Sequence, residues 1–341
     1  MQMRNKKLLI AGEAKSINTQ RLKSMFVGKF EQIEITEGID FSFKNFFKAF
    51  FAVKRLLKRY QPDLIILYQV NLTAFVTALA KKKGIPTIAI AIGSDVLLMP
   101  KRGWLFKKIL SYTLQHSDAY SANTPYLMEQ MKRYCLPDKP FALSHLGITP
   151  IEASKKKDIV FSNRLHKPLY RIEDIIRAFA NFVSMSEYKD WKLVIAAEGN
   201  ENKLKELANS LGIVGKVEFV GWLSSEENAK YYAKSRIFVS IPQSDSMPTS
   251  LLEAMSAGCI PVISDLPSYR GLVEHGRNAL VVSDEEIRSG DYLHKAFELD
   301  TEVLIRNNKV FTDEFATIEI NKQRLWDFVD KRSLYIFVST K

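Results

Sequence analysis

The chain is 341 residues long, more than one ordinary hydrophobic core accommodates, and it fits two domains of roughly 150 residues each. Apolar residues at 46% and charged residues at 26% are those of a folded globular protein and exclude a fibrous or disordered chain. The net charge of +11 lies in one half: residues 1–150 hold 23 Lys and Arg against 10 Asp and Glu, a balance of +13, whereas residues 151–341 hold 26 against 28, a balance of −2. An anionic partner for the first half, nucleic acid or a membrane surface, is implied. The longest apolar runs, LIILY and TIAIAIG, fall far short of the ~20 residues that cross a bilayer, and MQMRNKKLLIAG has too short an apolar core for a secretion signal, so the expected location is cytoplasmic. Cys135 and Cys259 lack metal-ligand spacing and read as buried fillers; none of the five histidines pairs at such spacing either, so no metal site is expected.

In chain order, KLLIAG, EQIEIT, DLIILYQ and TIAIAIG read as strands, separated by helices near 19–29, 42–60, 71–83 and 104–116. The stretch SHLGITPIEASKKKD (144–158) reads as a linker. After it come strand DIVFSN, a helix burying Ile172, Ile175, Ile176, Phe179, Ala180 and Val183, strand KLVIAAEG, a helix with Leu204, Leu207, Ala208 and Leu211, and strand KVEFVGWL. SSEENAKYYAKS opens with Ser224 and Glu227 at capping-box spacing; RIFVSIP, the helix PTSLLEAMSAG, CIPVISD and ALVV complete the series. Strands alternating with helices imply α/β architecture, with two doubly wound parallel sheets assigned to residues 1–150 and 151–341 and a last helix near 317–331. Two such domains are expected to bind a ligand in the cleft between them.

The stretch SDSMPTSLLEAMSAGCIPVISDLPS (244–268) concentrates the chemistry. Pro248 suits a first helical turn, so a helix is expected from about residue 247 with Ser246 as cap. Its free N–H groups at Thr249 and Ser250, beside Met247, make an anion site fit for a diphosphate. Asp245 precedes this helix and Glu253 lies inside it, roughly 10 Å apart at ~1.5 Å per residue. Glycosidase carboxyls sit about 5 to 9.5 Å apart, so the wider pair suits an elongated ligand, a nucleotide sugar with ribose at one end and hexose at the other.

Asp245, Glu253, Ala254, Met255, Gly258, Pro261, Val262 and Asp265, followed by EHGRNALVV, resemble the donor-site signature of the retaining nucleotide-sugar glycosyltransferases of family 4. NRLHKPLYRIEDIIRAF, AAEG and VEFVGW extend the likeness across residues 155–285. The resemblance implies the GT-B fold of two facing Rossmann-like domains, Glu253 on the ribose hydroxyls, Asp245 on the transferred sugar, and Arg164 on the diphosphate. The family's second diphosphate cation, a Lys, falls near Leu169 or Tyr170 here, which leaves Lys167 or Arg171 as substitutes. Gly199 in AAEG and Gly12 in AGEAKSINTQRL mark strand-to-helix turns where backbone approaches the donor, and Asp95 in GSDV matches a recurring turn of the family assigned to the catalytic set. The resemblance also implies metal-independent transfer with no cofactor, a UDP- or GDP-linked donor as co-substrate, a glycan or lipid-linked acceptor, and a place in surface polysaccharide or glycolipid assembly.

The basic excess lies in FSFKNFFKAFFAVKRLLKRY (41–60) and KRGWLFKKILSYTLQH (101–116), which contain no acid. Lys54, Arg55, Lys58, Arg59 and Trp104 suit contact with an anionic membrane on the inner face of the cell membrane. A core-facing apolar stripe with a solvated basic face is the competing reading. No nucleic-acid module is recognisable, and nucleic acid is not the expected partner. Asp245 and Glu253 can also be read as an ordinary cap and a solvated helical acid.

Overall fold

The computed structural model describes residues 3–338, with side chains described for 6–330. It divides into two units, Met1–Gly147 with Ile318–Lys341, and Ile148–Thr317. The boundary falls inside the expected linker, between Gly147 and Ile148.

The first unit is a parallel sheet in the order β2-β1-β3-β4-β5-β6. Its strands are β1 (Met3–Ala11), β2 (Phe30–Ile35), β3 (Leu64–Tyr68), β4 (Thr87–Ala91), β5 (Ala119–Ala122) and β6 (Phe141–Leu143). Between them run α1 (Ile17–Met25), α2 (Phe46–Tyr60), α3 (Leu72–Ala80), the short α4 (Ser94–Leu97), α5 (Trp104–Gln115) and α6 (Pro125–Lys132). Every residue of β3 and β4 is buried, as a parallel strand covered on both faces requires. Alternate residues serve opposite faces: Leu9, Ala11, Ile65 and Leu67 pack with α2, α3, α5 and α6, while Leu8, Ile10, Ile66 and Tyr68 pack with α1.

The second unit is a parallel sheet ordered β12-β11-β10-β7-β8-β9. Its strands are β7 (Lys157–Ser162), β8 (Lys192–Ala196), β9 (Val217–Gly221), β10 (Ser235–Ser240), β11 (Ile260–Ser264) and β12 (Leu280–Val282). Helices α7 (Ile172–Ser184), α8 (Glu201–Ser210), α9 (Ser225–Lys234), α10 (Thr249–Ser256), α11 (Asp284–Ser289) and α12 (Thr301–Phe311) cover it. The doubly wound α/β architecture expected for both halves is the one observed.

Three expectations are corrected. The last helix, α13 (Ile318–Val338), belongs to the first unit and not to the second. Its Leu325, Phe328 and Val329 complete the α1 side of the first sheet, Trp326 Nε1 donates to Met25 O at 2.8 Å, and Asp330 pairs with the buried Lys29 at 2.6 Å. The apolar end SLYIFV lies outside the residues whose side chains are described. The helix expected near 19–29 stops at Met25, because Gly28 turns the chain at φ 85°. Strands β5 and β6 were not anticipated: AYSA and FAL are too short and too small-residue-rich to stand out.

The docking of α13 is testable. Trp326→Ala is expected to lower the unfolding free energy by roughly 2–3 kcal/mol, with amide-exchange protection falling in β1 and α1 and unchanged in β7 and β10. Loss of protection in the second sheet instead would reassign the helix.

Candidate functional site

Strands β7 and β10 are neighbours at the centre of the second sheet, and their carboxyl-end loops carry the expected donor residues. The loop after β7 holds Asn163, Arg164, His166 and Lys167; the loop after β10 holds Asp245, Ser246 and Met247 and leads into α10. The Gln243 amide donates to Leu169 O at 2.8 Å and ties the two loops together.

Arg164 joins both loops through its side chain. Its Nη2 donates to Asp245 Oδ2 at 2.6 Å, its Nη1 to Ser250 Oγ at 3.0 Å, and its guanidinium lies 4.5 Å over the Tyr170 ring. The pair is largely shielded, with side-chain exposures of 13% for Arg164 and 19% for Asp245. Burial works against the guanidinium's charge, but Asp245, then Tyr269 and Tyr170, outweigh it and hold Arg164 above its ordinary pKa. Asp245 is fixed in turn: its Oδ1 accepts from the Ser246 amide at 2.8 Å, and Ser268 Oγ donates to its carbonyl at 2.6 Å. The buried Tyr269 phenol is pushed well above its usual range by burial and by Asp245.

Helix α10 begins at Thr249, two residues later than expected, and Pro248 rather than Ser246 occupies the capping position. A proline side chain accepts no hydrogen bond, so the first-turn amides of Thr249 and Ser250 lack a cap from that position. Glu253 is half-buried on this helix beside the buried Tyr232, whose phenol is driven far above its ordinary range by burial and then by Glu253. Asn163 Nδ2 donates to the Tyr232 hydroxyl at 2.7 Å and to Asn228 Oδ1 at 2.8 Å. Met247 packs partly buried with Leu251, Leu252 and Tyr269, anchoring the loop inward.

The two candidate second cations separate. Arg171 sits in a left-handed conformation at φ 53° and pairs through Nη1 with the exposed Asp284 at 2.6 Å, on the far side of the 3-10 turn from Arg164. Lys167 is exposed on the same loop as Arg164. Gly199 is demanded by close approach: a Cβ there would stand 2.3 Å from His166 Cβ and 2.8 Å from His166 O, while the His166 amide donates to Glu198 O at 2.9 Å. It seats the Arg164 loop against the end of β8. Tyr170 and Ser268 were missed in the sequence, because their contacts to Arg164 and Asp245 arise from tertiary folding and not from any spacing.

The remaining candidates lie in the first unit. Asp95 is buried in α4, and its carboxylate accepts from the amides of Val70 at 2.8 Å, Gly93 at 2.9 Å and Ile92 at 3.2 Å. Burial raises its pKa while those three amides draw it down. This carboxylate, assigned to the catalytic set in the sequence, staples the loop after β3 to the loop after β4. Gly12 ends β1; a Cβ there would lie 3.1 Å from Thr19 Cγ2, and its amide and carbonyl both bond Thr36 Oγ1. On α2, Lys54, Arg55 and Lys58 are exposed beside Phe47 and Phe51, whereas Arg59 pairs with Glu34 at 2.7 Å; Trp104 is 69% exposed at the start of α5. Among the described residues no group of three or more His, Cys, Asp or Glu is placed to hold a metal, and no helix is long and apolar enough to cross a membrane.

Comparison with known proteins bears on the family and the fold. Residues 149–299 match the family model described as Glycosyl transferases group 1, and residues 15–124 match Glycosyl transferase 4-like. A Campylobacter jejuni α-1,4-N-acetyl-D-galactosaminyltransferase, named for a diphosphoundecaprenol-linked substrate, is 28% identical over 297 residues, 83% of this chain and 75% of that protein. A Xanthomonas oryzae GDP-mannose:cellobiosyl-diphosphopolyprenol α-mannosyltransferase is 28% identical over 102 residues, and an uncharacterised Haemophilus influenzae glycosyltransferase 32% over 108. The matched stretches span only 27% and 30% of those two relatives. Two solved structures share the fold at low identity: HepE of Anabaena with UDP (TM-score 0.73, 12% identity, 96% of this chain and 100% of that one) and sucrose-phosphate synthase of Thermosynechococcus elongatus (0.78, 13%, 97% and 99%).

Two substitutions test the positioning roles. Asp95→Asn replaces one of the two accepting oxygens by an NH2 that faces a backbone N–H, and is expected to destabilise the first unit by about 1–3 kcal/mol, read from the denaturant midpoint; unchanged stability would overturn the stapling role. Gly199→Ala combines a left-side φ of 152° with the clash at His166 and is expected to lower stability by about 1–3 kcal/mol or more.

Proposed function

Because the chain belongs to the family-4-like glycosyltransferases of GT-B fold, we propose that it moves a hexose from a nucleoside-diphosphate sugar to a lipid-linked or polysaccharide acceptor, with retention, in surface polysaccharide or glycolipid assembly. The observation that carries this reading is Arg164, held by Asp245 and Ser250 at the amino end of α10. As the sugar–phosphate bond breaks, negative charge accumulates on the leaving diphosphate. A preorganised guanidinium and the first-turn amides of α10 are placed to stabilise that charge without rearrangement, which is where an enzyme lowers a barrier most. They would supply the compensation that a metal supplies elsewhere. Lys167 is the favoured second cation, because it is exposed on the Arg164 loop and has no ion-pair partner among the described residues.

Asp245 takes two roles in this scheme. Its carboxylate orients Arg164 and, with lone pairs left beyond those used by Arg164 and Ser246, accepts hydroxyls of the transferred sugar. Glu253, further along α10, accepts from the ribose hydroxyls. The relatives named for UDP, GDP-mannose and diphosphopolyprenol-linked substrates support a nucleotide-sugar donor and a lipid-carried acceptor. The first unit would take the acceptor, with the exposed Phe47, Phe51, Lys54, Arg55, Lys58 and Trp104 resting on an anionic, cytoplasm-facing membrane surface.

A panel of UDP, GDP, ADP and dTDP sugars should resolve the donor. One nucleotide series is expected to raise the melting temperature of the wild type by several degrees, since a ligand at 100 times its Kd stabilises by about 2.7 kcal/mol. Glu253→Ala should lose most of that shift, and Asp245→Ala should reduce transfer more than donor affinity. No shift with any series would overturn the reading. Charge reversal at Lys54, Arg55 and Lys58 should release the protein from anionic liposomes while leaving the donor shift intact.

A further inference from the structure

A groove of about 590 Å³ opens on the first unit between the start of α2, the start of α3 and the length of α5. Its walls are almost wholly apolar: Phe43, Phe46, Leu72, Phe75, Leu105 and Tyr112. The aromatic rings interlock around it, with Phe43 edge-on to Phe106 at 6.1 Å, Phe46 on Phe75 at 6.2 Å and Phe75 edge-on to Tyr112 at 5.3 Å. Donor chemistry makes no use of it. Such a volume falls in the range of small-molecule sites.

Its placement is informative. Leu72 and Phe75 lie in the first turn of α3, just beyond the carboxyl end of β3; Phe43 lies on the connection leaving the carboxyl end of β2, and Leu105 at the start of α5, after β4. The groove therefore starts at the end of the sheet where ligands bind in open α/β folds and runs outward along α5 to Gln115. The groove-lining Phe46 meets the exposed Phe47 edge-on at 5.4 Å, and the groove-lining Leu105 follows the exposed Trp104, so exposed aromatics adjoin two of its wall residues. The flanking segments 41–60 and 101–116 contain no acid. Among the described residues Lys44, Lys48, Lys107 and Lys108 have no ion-pair partner, and Lys108 lies 5.0 Å over the Trp104 ring.

We propose that this groove takes the single apolar chain of an isoprenyl diphosphate carrier, drawn out of the bilayer, with the carrier's diphosphate at the cationic rim. The inference rests on the transferase reading and names where the acceptor's lipid lies. One aromatic-walled groove suits one chain rather than the paired chains of a phospholipid, and a flank in which lysines outnumber Asp40, whose carboxylate is bonded by Ser42 and Asn45, suits a multiply charged anion. The glycan carried by that diphosphate then emerges at the carboxyl ends of the strands.

The test is calorimetric titration with farnesyl diphosphate below its micelle concentration, against inorganic diphosphate and a short-chain phosphatidic acid. Saturable farnesyl diphosphate binding is expected, at least tenfold tighter than either comparator. Ser111→Phe, which fills the groove, should weaken it at least tenfold, whereas Phe47→Ser with Phe51→Ser, outside the groove, should change it less than threefold while reducing vesicle binding. The nucleotide-sugar melting shift, measured on each variant, reports that the fold is kept. Equal binding of inorganic diphosphate, equal binding of the phosphatidic acid, indifference to Ser111→Phe, or vesicle binding with no farnesyl diphosphate binding would each overturn the groove assignment. If the donor shift is present while these fail, the groove alone is lost; if the donor shift is absent, the transferase reading falls first.

Discussion

The loops at the carboxyl end of the second sheet are held together by the ion pair between Arg164 and Asp245. Removing two charges from water is expensive, and the attraction between them offsets that only when geometry and neighbouring hydrogen bonds are good. Here the guanidinium also rests on Tyr170 and bonds Ser250, while Asp245 is held by the Ser246 amide and, through its carbonyl, by Ser268. Loops following β7, β10 and β11 are thereby locked to one another. Lysine could not do this, because it lacks the planar fork that binds two partners while stacking on a ring. The consequence is a guanidinium fixed beside the amino terminus of α10.

Much of this was legible beforehand. The alternation of short apolar runs with helix-period segments places nearly every strand of the second unit within a few residues, and the Ser224 and Glu227 capping box forms as its spacing requires, each side chain bonding the other's backbone. The spacing of Asp245, Ser250 and Glu253 put them around one helix start, and that is where they lie. What could not be read was partnership across the fold. Asp95 reads as a site acid in the sequence, and only the fold shows its oxygens accepting from the amides of Val70, Ile92 and Gly93. The pairing of Arg171 with Asp284, more than a hundred positions on, carries no sequence signal either. Tyr170 carries no signal at all, because its ring meets Arg164 only through a 3-10 turn.

Helix α2 shows how one element can meet three environments. Ala49, Val53 and Leu57 face the core, Phe46 lines the apolar groove, and Lys54, Arg55 and Lys58 face outward beside Phe47 and Phe51. A helix with a single buried stripe would show a plain apolar–polar division; this one is aromatic at its first turns and cationic at its last. The sequence conveys that gradient, and only the neighbouring α3 and α5 turn its first turns into a wall.

The return of α13 to the first unit bears on how the protein is made. The α1 side of the first sheet stays open until Leu325, Phe328 and Val329 arrive, yet all of Ile148–Thr317 is synthesised in between. At the usual pace of translation that interval is on the order of ten to thirty seconds. The second unit's residues are contiguous, whereas the first unit takes its closing helix from residues made after it. The earlier-made half therefore keeps an apolar face uncovered through that interval, and the nascent chain's exposure to chaperones and proteases is longest there.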